Sequence, residues 1–106
     1  MNGLQYYVTS LFDRWRSEWQ SARIARRIHP ALLESVRRKI PDTSATDLKG
    51  YAEVRAAQLA QEHVDLIMQA NPAQSGAFAT RLLIKSTERA VKSVLDAIVI
   101  PRRTAA

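Results

Sequence analysis

The hydrophobic and polar positions along the chain follow a helical period that four prolines divide into segments. Pro30, Pro41, Pro72 and Pro101 separate stretches in which only three glycines occur, and no alternating β-branched run bounded by turn residues competes with them. Pro30 suits the first turn of a new helix, whereas Pro41 and Pro101 follow helices that they would end. We therefore predict helices at residues 3–28, 30–40, 45–70 and 75–99, followed by a basic flexible tail at 101–106.

The first predicted helix carries its large apolar side chains on one side. Between Leu4 and Ala25 they fall within an arc of about 140°. This arc predicts that Phe12 and Trp15 lie in the core. A partner-binding anchor and a helix lying on a membrane surface stay open as alternatives, because Trp and Arg are favoured at interface hot spots and Trp opposite Arg is typical of interfacial helices. Ile24 falls outside the arc, so the helix is expected to bend or change neighbours there.

The third predicted helix has two apolar lines. Its main stripe runs from Leu48 to Ala70 through His63, and a second, narrow line lies on the far side. Two buried faces on one helix imply a central position or a contact with another subunit. We therefore define a candidate association surface that consists of the second line and one tryptophan: Ala57, Val64, Met68 and Trp19.

Helices of these lengths, joined by connections of a few residues, predict the fold class. We expect an all-α protein, a small antiparallel bundle of three long helices plus one short helix, in a single domain over residues 1–100. Ser44, three residues before Asp47, and Ser75 are expected to cap the third and fourth helices. Because 16 of the apolar residues are alanine, the core is expected to be thin, which makes self-association attractive.

Charge is segregated along the chain. Residues 1–40 carry eight Lys or Arg and three Asp or Glu, residues 41–71 carry two and five, and residues 72–106 carry six and two, so the net charges of +5, −3 and +4 sum to +6. An acidic segment between two basic ones can serve an anionic partner. It can equally serve complementarity within one chain or between two chains.

The basic residues of the first two predicted helices form a candidate anion or nucleic-acid surface. Guanidinium groups suit bidentate contacts with phosphate. The alternative is a solvated face whose charge complements that of the acidic third helix. That acidic helix is a poor recognition helix for a major groove, so nucleic acid would be bound through its backbone, without base readout. The candidate residues are Arg14, Arg16, Arg23, Arg26, Arg27, Arg37, Arg38 and Lys39.

The chain lacks the residues and motifs that several kinds of catalytic or metal site require. The chain has no cysteine, which excludes disulfides, zinc ribbons, iron–sulfur clusters and thiolate catalysis. His63 lies beside Glu62 in an apolar stripe, where it could act as a buried base, a metal ligand or a core histidine. Only one other histidine is present, so a metal site would depend on carboxylates. No zincin, nucleophile-elbow, phosphate-loop or dinucleotide-binding motif occurs. We therefore expect no catalytic, cofactor-binding or metal site, and a protein that is not an enzyme.

The apolar runs are too short for a membrane span. The longest, Ala97 to Ile100, is far below the ~20 residues that a span needs, so no integral membrane association is expected. The first residues lack a basic region followed by an apolar one, which predicts a cytoplasmic protein. Together these patterns predict a non-catalytic helical module for protein–protein interaction, including homo-oligomerisation. The alternative is a nucleic-acid-binding accessory protein that uses the Arg-rich face.

Overall fold

Three helices account for nearly all of the backbone. The computed structural model describes the backbone of residues 3–105 and the side chains of residues 14–98. Helix α1 spans Gly3–Lys39, α2 spans Ala45–Ala70 and α3 spans Gly76–Ala105, and a short 3-10 turn at Ile40–Asp42 follows α1. Each helix contacts the other two. The all-α bundle predicted from the sequence is therefore confirmed, with the short second helix joined to the first.

The two connections reverse the direction of the chain. Residues 40–44 lead from α1 into α2, and residues 71–75 lead from α2 into α3, so both sequential pairs are antiparallel and α1 runs parallel to α3. The predicted caps are confirmed at both starts. Ser44 Oγ accepts a hydrogen bond from the Asp47 amide at 3.3 Å, and Ser75 Oγ accepts one from the Phe78 amide at 3.1 Å. Each hydroxyl satisfies an amide that has no partner within its helix.

Helix α1 is continuous through Pro30, so the predicted helix break at this proline is wrong. The buried side chains repeat every four residues on both sides of it, and each is at most 3% exposed: Ile24, Ile28, Leu32 and Val36. Burying this line outweighs the single backbone hydrogen bond that a proline cannot donate. Pro30 is exposed, so the carbonyl of Arg26 that loses its partner lies on the solvent side, where water can replace the bond.

Helix α3 also continues past a proline. It runs through Pro101 to Ala105, whereas the sequence predicts a helix end at residue 99 and a tail over 101–106. An interior proline normally kinks or breaks a helix, yet both helices continue through theirs. The side chains of residues 99–106 lie outside those described.

The interior of the bundle includes many small side chains beside the larger aliphatic ones. The buried line of α2 contains three alanines between two larger residues: Leu48, Ala52, Ala56, Ala60 and Val64. Ser17, Ser21 and Ser86 are fully buried as well, and each hydroxyl donates to a carbonyl of its own helix, at 3.0, 3.0 and 2.6 Å respectively. Small residues let the helix backbones approach closely, so the core is narrow.

The tryptophans of α1 lie outside this core. Trp15 is 65% exposed and Trp19 is 49% exposed, although the aromatic arc predicts that Trp15 lies inside. The buried line instead begins at Ser17 and continues through Ile24, a residue outside that arc. The side of α1 that faces the other two helices is therefore the one that carries Ser17 and Ile24, and the two indoles lie beside it. Phe12 and the rest of the arc before residue 14 lie outside the described side chains.

Candidate functional site

The four residues of the candidate association surface do not form one surface. Val64 is 1% exposed and belongs to the core, Met68 is half-buried against the core, and Ala57 is half-buried. Val64 belongs to the buried line of α2 and Met68 packs against the core, so these two side chains are used within the chain. Trp19 alone of the four is exposed.

The basic residues of α1 are all exposed, and their side chains are distributed around the helix. Among side chains 14–98, no ion pair within 4.0 Å joins any of them to an acidic residue of α2. The acidic second helix therefore does not neutralise them by direct contact. The exposed residues are Arg14, Arg16, Arg23, Arg26, Arg27, Arg37, Arg38 and Lys39.

The last three of these cations have a structural role at the end of α1. Arg37, Arg38 and Lys39 occupy its last turn, where positive charge is favourable beside the negative end of the helix dipole. Arg38 pairs with Glu34 at 2.5 Å, and the Lys39 ammonium lies 5.3 Å from the centre of the Tyr51 ring. The remaining cations, between residues 14 and 27, are the ones that line grooves.

One groove lies between α1 and α2 and has a volume of about 240 Å³. We call it the α1/α2 groove. The Arg23 guanidinium lies 5.5 Å from the centre of the Trp19 ring, in a cation–π arrangement. On the α2 side Leu66 is 63% exposed. The groove therefore combines exposed apolar groups with two arginines, and it is lined by Trp19, Gln20, Arg23, Ile24, Arg27, His63, Leu66 and Ile67.

The outer edge of α2 beside this groove is acidic. Glu62 and Asp65 are both exposed, and Glu62 precedes Leu66 by four residues, which places the two on one edge of the helix. Asp65 accepts a hydrogen bond from the Gln61 side chain at 2.7 Å. The face around the α1/α2 groove thus carries positive charge on its α1 half and negative charge on its α2 half.

A second groove, the α1/α3 groove, lies on the other side of α1 and is open, with a volume of about 740 Å³. The Ser93 hydroxyl lies 3.1 Å from His29 Nδ1. Arginines from both helices line it, with small residues between them. The lining residues are Ala22, Ala25, Arg26, His29, Pro30, Arg89 and Ser93.

Glu18 joins α1 to α3 close to this groove. Its carboxylate forms ion pairs with Lys85 and with Arg89, one on each oxygen. The hydrogen bond from Lys85, followed by that from Arg89, lowers the pKa of Glu18 below its usual value of 4.5. The three charges together sum to +1, so the surroundings of the groove stay positive.

His63 is half-buried at the α1/α2 groove and not enclosed in the core. Within the described part of the chain, no three histidine, aspartate or glutamate side chains are grouped so that they could hold a metal ion. In that part of the chain, no helix is both long enough and apolar enough to cross a membrane.

Of the polar residues that line the α1/α3 groove, Arg26 is among the candidates predicted from the sequence, but His29, Arg89 and Ser93 are not. The helix break predicted between residues 28 and 30 hides the position of His29, which the continuous helix α1 places one turn after Arg26 on the same side. On α3, Lys85, Arg89 and Ser93 are spaced by four residues, which puts them on one face. That spacing was available in the sequence, but nothing in it shows which helix the face meets.

Comparison with known proteins gave no relative. A scan against protein-family models, a search of curated proteins and a search of solved structures each returned no match to this chain. We therefore infer function from the geometry and charge of the chain itself.

Proposed function

We propose that this protein is a non-catalytic helical module that associates with a second copy of itself through the face around the α1/α2 groove. The observation that supports this is the combination of exposed Trp19 and Leu66 with opposite charges on the two halves of that face. The cytoplasm is the proposed location, since a chain without cysteine is compatible with a reducing compartment.

Exposed apolar side chains provide the driving force. Trp15, Trp19 and Leu66 are all at least 49% exposed. Scattered surface apolar residues are normal, but a tryptophan next to an arginine is the composition of an interface hot spot. Covering this face would add burial to a domain with a narrow core.

Charge complementarity favours a second copy as the occupant. Arg23 and Arg27 line the α1 half of the groove, and the exposed Glu62 lies one turn before Leu66 on the α2 half. A two-fold axis through the groove places α1 of one copy against α2 of the other, and the reverse contact is made at the same time. Each arginine half then meets an acidic half, and the tryptophan of one copy meets the leucine of the other.

A charge-reversal experiment tests this arrangement. One variant carries Arg23→Glu with Arg27→Glu, the other carries Glu62→Arg, and light scattering after size exclusion gives the mass of each. We expect the wild type to be a dimer, each variant alone to be a monomer because like charges meet twice, and an equimolar mixture to recover the dimer mass. Circular dichroism checks that both variants keep their helices.

The control makes the same charge change elsewhere on α1. Arg37→Glu with Arg38→Glu alters the end of the helix, away from the α1/α2 groove, and should leave the dimer intact. A wild type that is monomeric at ~0.5 mM, or a mixture of the two variants that stays monomeric, would falsify the proposed dimer.

A second candidate function is nucleic-acid binding. The observation that favours it is that the basic residues of α1 are exposed and, among side chains 14–98, make no ion pair with α2. Contacts of this kind are made to phosphates and are strongly salt-dependent. Protein that elutes with a high 260/280 nm absorbance ratio at low salt, and loses it at ~0.5 M salt, would favour this function over self-association.

A further inference from the structure

We propose that the α1/α3 groove is a binding site for a phosphate group. It is separate from the α1/α2 groove and lies on the opposite side of α1. The groove brings together two guanidinium groups, an imidazole and a hydroxyl from two different helices. All of these groups can donate hydrogen bonds to the oxygens of one anion.

The two arginines carry most of the recognition. Arg26 comes from α1 and Arg89 from α3, and guanidinium groups bind phosphate oxygens through paired, charge-assisted hydrogen bonds. One nitrogen of Arg89 is held by Glu18, which orients the side chain and leaves its other N–H groups available. Among side chains 14–98, Arg26 has no carboxylate within 4.0 Å, so its guanidinium is not occupied by an ion pair.

His29 and Ser93 add neutral donors to the same groove. They lie 3.1 Å apart, between Ser93 Oγ and His29 Nδ1. When the hydroxyl donates to Nδ1, the ring proton is on Nε2, which can then donate to a ligand. When the ring instead donates from Nδ1, the hydroxyl is free to donate. In either arrangement this pair offers one hydrogen bond to an anion.

The remaining lining leaves room for the ligand and adds no negative charge. Ala22, Ala25 and Pro30 are small, and among side chains 14–98 no carboxylate lines the groove. The neighbouring carboxylate, Glu18, is bonded to both Lys85 and Arg89, so these three side chains keep a net charge of +1. Two arginines of like charge that face one groove repel each other, and a bound anion removes that repulsion.

The size of the groove defines the class of ligand. A volume of about 740 Å³ is in the range of sites for small organic ligands and exceeds the volume of a phosphate group alone. Either a phosphorylated small molecule or the backbone of a nucleic acid supplies this chemistry. The two sources differ in whether the phosphate group binds without a polymer attached to it.

The test measures the binding of two probes, inorganic pyrophosphate and a 20-base-pair DNA duplex, by titration calorimetry at low salt. The variant is Arg26→Gln, and Arg37→Gln is a matched control because it removes the same charge from an exposed position of the same helix. We expect Arg26→Gln to raise the dissociation constant for pyrophosphate about tenfold, and Arg37→Gln to change it less than about twofold. His29→Ala is a second variant, which removes the imidazole from the groove and keeps both of its arginines.

Each result has a definite meaning. Binding of pyrophosphate that Arg26→Gln weakens and Arg37→Gln does not supports a site for small phosphorylated molecules. Binding of the duplex alone, with the same difference between the variants, supports the site and identifies nucleic acid as the source of the phosphate. Failure of the wild type to bind either probe, or equal loss of binding in the two arginine variants, overturns the proposal.

Discussion

The two grooves beside α1 have nearly the same charged groups and different neighbours. Each is lined by two arginines and one histidine. In the α1/α2 groove these groups stand next to Trp19 and Leu66, whereas in the α1/α3 groove they stand next to alanines, a proline and a serine. The difference lies in what stands beside the cations: large exposed apolar groups are typical of a surface for a protein partner, whereas small side chains leave room for an anion.

Adjacent positions in the sequence supply both grooves. Arg26 lines the α1/α3 groove and Arg27 lines the α1/α2 groove, because successive residues of a helix are rotated by roughly 100°. A run of basic residues on one helix is therefore divided between two surfaces. Its net charge alone predicts neither of them.

The largest effect is expected at Pro30, which lines the α1/α3 groove and is the proline inside α1. Pro30→Ala restores an amide that can donate to the carbonyl of Arg26. Alanine is favoured over proline inside a helix by ~3 kcal/mol, and the gain is reduced by the greater freedom of the unfolded chain. We expect the free energy of unfolding, measured with urea, to rise by about 2 kcal/mol.

Pro72→Ala is the control for that change. Pro72 lies in the turn after α2 and not inside a helix, so replacing it should lower the free energy of unfolding by up to ~1 kcal/mol. If Pro30→Ala left the stability unchanged or lowered it, α1 would not be continuous at this position.

The next largest effect is expected on self-association, and it distinguishes the α1/α2 groove from the rest of α2. Leu66 and Val54 lie on the same helix and are 63% and 61% exposed, but only Leu66 lines the groove. We expect Leu66→Ser to weaken self-association at least tenfold, or ~1.4 kcal/mol, and Val54→Ser to leave it unchanged. Analytical ultracentrifugation over a concentration series measures both, and equal behaviour of the two variants would argue against the groove as the interface.

A smaller, pH-dependent effect on the free energy of unfolding is expected from Glu18, whose ion pairs lie close to the α1/α3 groove. Its pKa in the folded protein is below the usual value of 4.5, so its ion pairs stabilise the fold above pH 4.5. This contribution is lost as the pH falls below that value and through the folded pKa. Wild type should be more stable than Glu18→Gln at pH 7, and the difference should shrink at about pH 3. A difference in unfolding free energy that is equal at both pH values would contradict the role of the carboxylate.

The smallest effect concerns the contact between Arg23 and Trp19 in the α1/α2 groove. The cation–π arrangement at 5.5 Å is exposed, where such contacts stabilise by ~0.5 kcal/mol. A double-mutant cycle of Arg23→Ala and Trp19→Leu, read from urea unfolding of the monomer, should give a coupling energy of about this size. The cycle Arg27→Ala with Trp19→Leu serves for comparison and should give a lower value.

Much of the fold followed from local signals in the sequence. Ser44 and Ser75 were placed as caps by the chemistry of the residues that follow them, and α2 has the predicted bounds at residues 45 and 70. Pro30 was misread because its local effect is to break a helix, whereas the burial of Ile28 and Leu32 on either side of it depends on the other two helices. Local propensity cannot report that contribution.

Less of the candidate site could be predicted, for the same reason. Trp15 and Trp19 share a face with other apolar residues, which indicates a core when the surfaces opposite them are unknown. The side of α1 that meets the other helices is instead the one that carries Ser17, Ile24 and Ile28, and the tryptophans lie outside. The exposure of the cations was predictable from charge. Their division between two grooves required the packing of α1 against both neighbours.

Ser17, Ser21 and Ser86 lie in the interior but bond only to their own helices. At these serine positions and at the buried alanines, a slip of one helical turn, about 5.4 Å, would exchange side chains of similar size, so they put little restriction on the axial register of the helices. Register between α1 and α3 is also specified at the surface, where Glu18 meets Lys85 and Arg89 and His29 meets Ser93. The polar rim of this bundle therefore shares the alignment of the helices with the larger side chains of the core.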